Sequence, residues 1–150
     1  NKKMIGKEKI LRKAFKLSGK SPLIKNIYSE IFSKSLNSLA FNMIAIYFQQ
    51  TNQRLKSNKK ALKMLEIIMI EGEQLTKFLK LNLAQSYKDR INQTLSSSVH
   101  TMSMLSDFKA GKKVELKLLW DSFKFVLKNT QIKMPYTKKI YNEIKMKYKI

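Results

Sequence analysis

The residues with the clearest chemical potential are a serine run and the single histidine of the chain. Ser96, Ser97 and Ser98 closely precede His100. A serine becomes a nucleophile only when a base and an orienting acid are assembled around it, usually beside a tight strand-to-helix turn. Here all four residues fall inside one stretch of helical periodicity, at 84–108. A structural or surface role is therefore expected for the histidine.

The carboxylates do not suggest a catalytic pair or a metal site. Glu71 and Glu73 are two residues apart, so they point to different faces of a helix. Glu66 and Glu73 could share a face, but the lysines around them explain both as salt-bridge partners. The chain has no cysteine and no glycine-rich phosphate loop. The sequence thus predicts a non-enzyme, with no catalytic residue, no metal ligand and no cofactor.

The charge of the chain is extreme. Thirty-one basic residues stand against ten acidic ones, for a formal charge of +21, and nearly all the bases are lysine. Such a chain is attracted to polyanionic surfaces, and lysine supplies strongly hydrated point charges rather than bidentate recognition. The lysines recur at helical spacing, which indicates either ordinary solvated faces or a docking surface for anionic membranes. The predicted docking residues are Lys9, Lys13, Lys16, Lys20, Lys56, Lys60, Lys63, Lys113, Lys117, Lys124, Lys128, Lys138 and Lys139.

The elements that must position these residues are helices. Glycine and proline are scarce, at four and two residues, which argues against a turn-rich β fold. Gly72 could bend the helix that contains it, Gly111 is a stop signal, and Pro135 suits the start of the last helix. Helical periodicity covers 7–17, 22–54, 59–82, 84–108, 113–128 and a short stretch from 135. The sequence predicts one all-α domain over residues 1–150.

Two stretches are more apolar than a single buried face requires. From Leu39 to Phe48 the apolar residues surround the helix, which fits either a central bundle helix or an exposed patch. The stretch Leu62–Ile70 is similar. Burial in the core is the default for such residues, and insertion into a bilayer is the functional alternative. The candidates for insertion are Leu39, Phe41, Ile44, Tyr47, Phe48, Ile67, Met69 and Ile70.

Several short motifs resemble one known family. They are Lys13-Ala14-Phe15, Lys59-Lys60-Ala61-Leu62, Phe125-Val126-Leu127-Lys128, Met134-Pro135-Tyr136 and Tyr141-Asn142-Glu143-Ile144-Lys145-Met146. Together with the size, basicity and lack of cysteine, they resemble the abalone sperm lysin family. The lysine bias makes the chain most similar to the fusagenic acrosomal paralogue of lysin. The resemblance implies a compact up-and-down bundle of about five helices, lysin-like in fold.

The resemblance also implies a function. By this resemblance we expect a secreted, non-enzymatic protein of the sperm acrosomal granule that is exposed after exocytosis. The expected protein binds anionic membrane lipids and promotes sperm–egg membrane fusion. An egg-surface receptor and self-association are compatible with it. One alternative is lysin-type dissolution of the egg vitelline envelope without bond cleavage. A basic nucleic-acid- or ribosome-associated protein is the alternative of another class, disfavoured by the few arginines and the absence of a recognition motif.

Overall fold

The helical periodicity of the sequence corresponds to seven helices in a computed structural model, which describes residues 27–96 and 102–149. The helices are α1 (Ile27–Phe48), α2 (Asn52–Lys56), α3 (Lys59–Phe78), α4 (Tyr87–Ser96), α5 (Ser103–Lys109), α6 (Leu116–Lys128) and α7 (Pro135–Tyr148). The described ranges contain no strand, which confirms the all-α class. The expected number of about five helices is wrong. The helix predicted at 7–17 lies outside the described residues.

The helix count differs because two long predicted helices are each divided. The helix expected over 22–54 ends at Phe48, where Gln49 adopts a left-handed conformation with φ 52°. The N–H of Gln50 then reaches back to the carbonyl of Ala45 at 3.1 Å. This closure is the usual end of an α-helix, but glycine normally occupies the left-handed position. A second predicted helix, 84–108, is represented by α4 and α5.

The same closure ends two further helices. Lys80 has φ 53°, and the Leu81 N–H bonds to the carbonyl of Thr76 at 2.9 Å. Gly111 has φ 68°, and the Lys112 N–H bonds to the carbonyl of Asp107, also at 2.9 Å. The stop signal at Gly111 is therefore confirmed. The end at Lys80 carries no glycine and leaves little trace in the sequence.

Helix α1 is the centre of the described fold, since α3, α5, α6 and α7 all pack against it. Its residues from Leu39 to Ile46 are buried on every side. This apolar run was predicted to be either a central bundle helix or an exposed patch, and the structure shows the central helix. Helix α3 passes through Gly72 without interruption. A Cβ at this position would overlap the buried side chain of Leu36. The glycine lets the two helices approach closely.

Helix α7 is held against the rest of the bundle at its start and again beyond its middle. Pro135 opens it, as predicted, and the buried Glu71 carboxylate accepts hydrogen bonds from the backbone N–H groups of Tyr136 (2.8 Å) and Thr137 (2.9 Å). The Thr137 hydroxyl donates a third at 2.6 Å. Further along, the Tyr47 hydroxyl donates to Glu143 at 3.0 Å, and this bond, with burial, raises the pKa of Tyr47. No described helix is both long enough and apolar enough to cross a bilayer.

Candidate functional site

The predicted docking lysines are distributed over several elements. Lys9, Lys13, Lys16 and Lys20 lie outside the described residues, as does His100. The others are exposed on α2, α3, α6 and α7 and on the loop before α6, and they are Lys56, Lys60, Lys63, Lys113, Lys117, Lys124, Lys128, Lys138 and Lys139. Three of them, Lys124, Lys128 and Lys138, line a cleft between α6 and α7. The helical stripes of lysine are thus exposed, but on different elements.

Half of the eight apolar insertion candidates lie in the core. Leu39, Phe41 and Ile44 are fully buried, and Met69 is 2% exposed, because α1 and the facing side of α3 form the core. The prediction that these four residues insert into a membrane is therefore wrong, because they belong to the core. Tyr47, Phe48 and Ile67 are half-buried, and Ile70 is 37% exposed.

Glu66 and Glu73 were predicted to be salt-bridge partners of nearby lysines, but in the structure both bind Tyr87. Glu66 accepts a hydrogen bond from the Tyr87 hydroxyl at 3.1 Å, and Glu73 accepts one from the Tyr87 backbone N–H at 2.9 Å. Burial, followed by the bond to Glu66, raises the pKa of Tyr87. These two carboxylates therefore anchor the start of α4 to α3.

A polar stripe runs along one face of the central helix. Lys34, Ser38 and Asn42 follow one another at steps of four residues, which places them on one face of α1. The Asn42 side-chain amide donates to the carbonyl of Ser38 at 2.8 Å and to its hydroxyl at 3.1 Å. Asn42 is only 6% exposed, and its Oδ1 accepts no hydrogen bond from the described residues. An amide oxygen without a partner is uncommon in a buried position.

A second set of polar groups joins α1 to α2 and α4. The Thr94 hydroxyl donates to Asn37 Oδ1 at 3.3 Å, and the Asn52 amide points to the Thr94 carbonyl at 3.5 Å. Asn52 is 3% exposed, and its Oδ1, like that of Asn42, has no partner in the described part of the chain. Buried amides that are only partly satisfied are uncommon in purely structural cores.

The polar stripe carries one positive charge that can pair with an anion. The exposed ammonium of Lys34 provides this charge, whereas the Oδ1 atoms of Asn42 and Asn52 are buried and can only accept hydrogen bonds. Sequence reasoning missed these residues because it used only the apolar positions of the helix predicted over 22–54. The available signal was the recurrence of polar residues at 34, 38 and 42, on the approach to the most apolar part of that helix.

The fold and the polar stripe describe an all-α domain, and comparison with known families shows where it belongs. The family model for the C-terminal region of ketopantoate reductase, PanE/ApbA, matches residues 26–148. The chain therefore belongs to this family. No curated protein and no solved structure matches the chain.

The family match overturns the expectations that came from the lysin resemblance. The chain is not a member of the sperm lysin family, and the predicted fusagenic function, with its sperm, acrosome and fertilisation context, is wrong. The prediction of a non-enzyme is also wrong, since ketopantoate reductases are enzymes. The misleading motifs were short runs of lysine and aromatic residues, which any basic helical domain can carry on its helices. The match gives no support to envelope dissolution or to nucleic-acid binding.

Proposed function

We propose that this chain is the helical, substrate-side domain of an NADPH-dependent reductase that acts on a small 2-keto acid. The observation that carries the proposal is the family match, which extends over residues 26–148. The polar stripe of α1 supports it. A 2-keto acid presents a carboxylate and an adjacent ketone oxygen, and both can accept a hydrogen bond from a lysine ammonium.

The described residues do not fit the dinucleotide itself. Nicotinamide dinucleotides are usually bound where a glycine-rich turn joins a strand to a helix. Gly72 lies within α3 against Leu36, and Gly111 ends α5, so neither glycine forms such a turn. In this proposal another domain holds the hydride donor, and the residues of this chain act on the keto acid.

Lys34 is the residue proposed to act most directly on the substrate. It is exposed, and Ser38 and the buried Asn42 continue its face of the central helix. Its ammonium can pair with the carboxylate or donate a hydrogen bond to the ketone oxygen, where negative charge develops as the carbonyl is reduced.

The test is an NADPH oxidation assay on the full-length protein with ketopantoate and other short 2-keto acids. Lys34→Ala is expected to lower kcat/KM about 100-fold, the typical effect of removing one donor to a developing oxyanion. Lys77→Ala, which removes an exposed lysine from α3, is the matched control and should change kcat/KM less than about twofold. The proposal fails if no 2-keto acid is reduced, or if the two variants behave alike.

A further inference from the structure

A second concave site lies at the connection between α6 and α7, apart from the polar stripe. It is a cleft of about 520 Å³, lined by residues from the second turn of α6 to the start of α7. Its apolar lining consists of Trp120, Leu127, Ile132, Met134 and Pro135. The volume is within the range of pockets that bind small organic ligands. An apolar cleft of this size is suited to an aliphatic chain or an aromatic ring.

The edge of this cleft is strongly cationic. Lys124, Lys128, Lys133 and Lys138 all line it, and no carboxylate among the described residues does. Lys124 is already paired with Asp121 at 2.6 Å. The other ion pairs in the described ranges are Lys112–Asp107 and Lys117–Asp121, so Lys128, Lys133 and Lys138 take part in none of them. Three ammonium groups are therefore available to an anionic group at the mouth.

The combination of an apolar lining with unpaired lysines selects an amphiphilic anion. We propose that this cleft binds a medium-chain fatty acid, with the aliphatic chain against the half-buried Leu127 and Ile132 and the carboxylate among Lys128, Lys133 and Lys138. Lysine suits this task because its ammonium is a compact point charge on an apolar stem. A short 2-keto acid would leave the apolar lining uncovered. Nucleic acid would require an exposed aromatic ring for stacking, and Trp120 is only 3% exposed.

The chain contains its own reporter for this site. Trp120 lines the cleft and is the only tryptophan in the sequence, so intrinsic fluorescence reports on this region alone. The experiment titrates the protein with decanoate and, separately, with decanol, both below their micellar or solubility limits. Decanoate should change the Trp120 emission saturably, and decanol should bind at least about tenfold more weakly, a difference of about 1.4 kcal/mol. Added salt should weaken decanoate binding, because it screens the lysines.

Two variants and one control separate the charge from the apolar contact. The triple variant Lys128→Ala, Lys133→Ala and Lys138→Ala should lose about tenfold in decanoate affinity and leave decanol unchanged. The control triple, Lys56→Ala, Lys77→Ala and Lys145→Ala, removes the same charge from exposed positions elsewhere and should retain decanoate binding. Ile132→Asn should weaken both ligands, with circular dichroism verifying the fold.

Three results would overturn the proposal. They are the absence of a saturable change in Trp120 emission at millimolar decanoate, equal affinity for decanoate and decanol, and equal loss of affinity in the two lysine triples. The assay does not depend on keto acid reduction. Its failure would therefore leave the proposed reductase function untouched, and the failure of that function would leave this site untouched.

Discussion

Among single residues, Asp121 shows most directly how local charge shapes this molecule. On α6 it lies between Lys117, at 2.7 Å, and Lys124, at 2.6 Å. The hydrogen bond from Lys117, followed by the one from Lys124, lowers the pKa of Asp121 from 3.8 to about 2. The same contact raises the pKa of Lys117. Because these side chains are partly exposed, the pairs have a clear effect on titration and only a small one on stability.

A carbon-detected NMR titration of Asp121 tests this arrangement. Since the carboxyl group is more acidic in the folded chain, its pairs stabilise the fold above pH 3.8 and lose this effect as the pH falls to about 2. The midpoint should be near 2 in the parent protein and should move upward in Lys117→Ala. Lys128→Ala, which removes a nearby lysine outside the pair, should leave it in place. A parent midpoint near 3.8 would contradict the geometry.

At the scale of elements, the position of α7 depends on one carboxylate from α3. The first N–H groups of a helix have no partner within the helix, and Glu71 supplies acceptors for two of them and for the Thr137 hydroxyl. The negative charge also complements the positive end of the helix dipole. This contact joins residues 65 and 66 positions apart, so it fixes the end of the chain against its middle.

Removing this carboxylate should destabilise the whole fold. Glu71→Gln retains the size but weakens the charge-assisted bonds, and we expect the free energy of unfolding to fall by about 1.5–3 kcal/mol. Urea denaturation monitored by circular dichroism measures the change. Glu115→Gln is a suitable control, because Glu115 is exposed at the start of α6 and its side chain makes no capping bond. Equal stability of the two variants would show that Glu71 does not anchor α7.

The elements also show where sequence reasoning succeeds. Apolar periodicity located the helices, and Pro135 and Gly111 marked a start and an end, since both act through local backbone geometry. The ends at Gln49 and Lys80 were placed too far along the chain, because neither left-handed position carries the glycine that would mark it. The buried amides of Asn42 and Asn52 were missed because a polar residue reveals its role only when its neighbours from other helices are known.

For the whole molecule, the dominant property is the charge of +21, which the described ion pairs offset only locally. Attraction to an anionic bilayer stays a prediction that follows from this charge, separate from the proposed reductase function. The nine described docking lysines are all exposed, so they are accessible to such a surface. They are spread over four helices and a loop, which favours diffuse attraction over a single defined interface.

Cosedimentation with vesicles tests this attraction. We expect binding to vesicles that contain phosphatidylserine at low salt and release at high salt, because the screening length falls from about 30 Å at 0.01 M to about 3 Å at 1 M. Vesicles of phosphatidylcholine alone are the control and should bind little. Binding that ignores both salt and lipid charge would show that charge does not drive the association.

The close approach of α1 and α3 at Gly72 constrains how this sequence can change over evolutionary time. In Gly72→Ala the new methyl group meets the buried Leu36 side chain, which should lower the free energy of unfolding by about 1–3 kcal/mol. In Leu36→Ala a cavity remains, which should lower it by about 2–5 kcal/mol. Made together, the two should cost less than their sum, and a double-mutant cycle in urea measures that coupling. Positions 36 and 72 are thus expected to be epistatic. In lineages that keep this helix crossing, a larger residue at position 72 should occur together with a smaller residue at position 36.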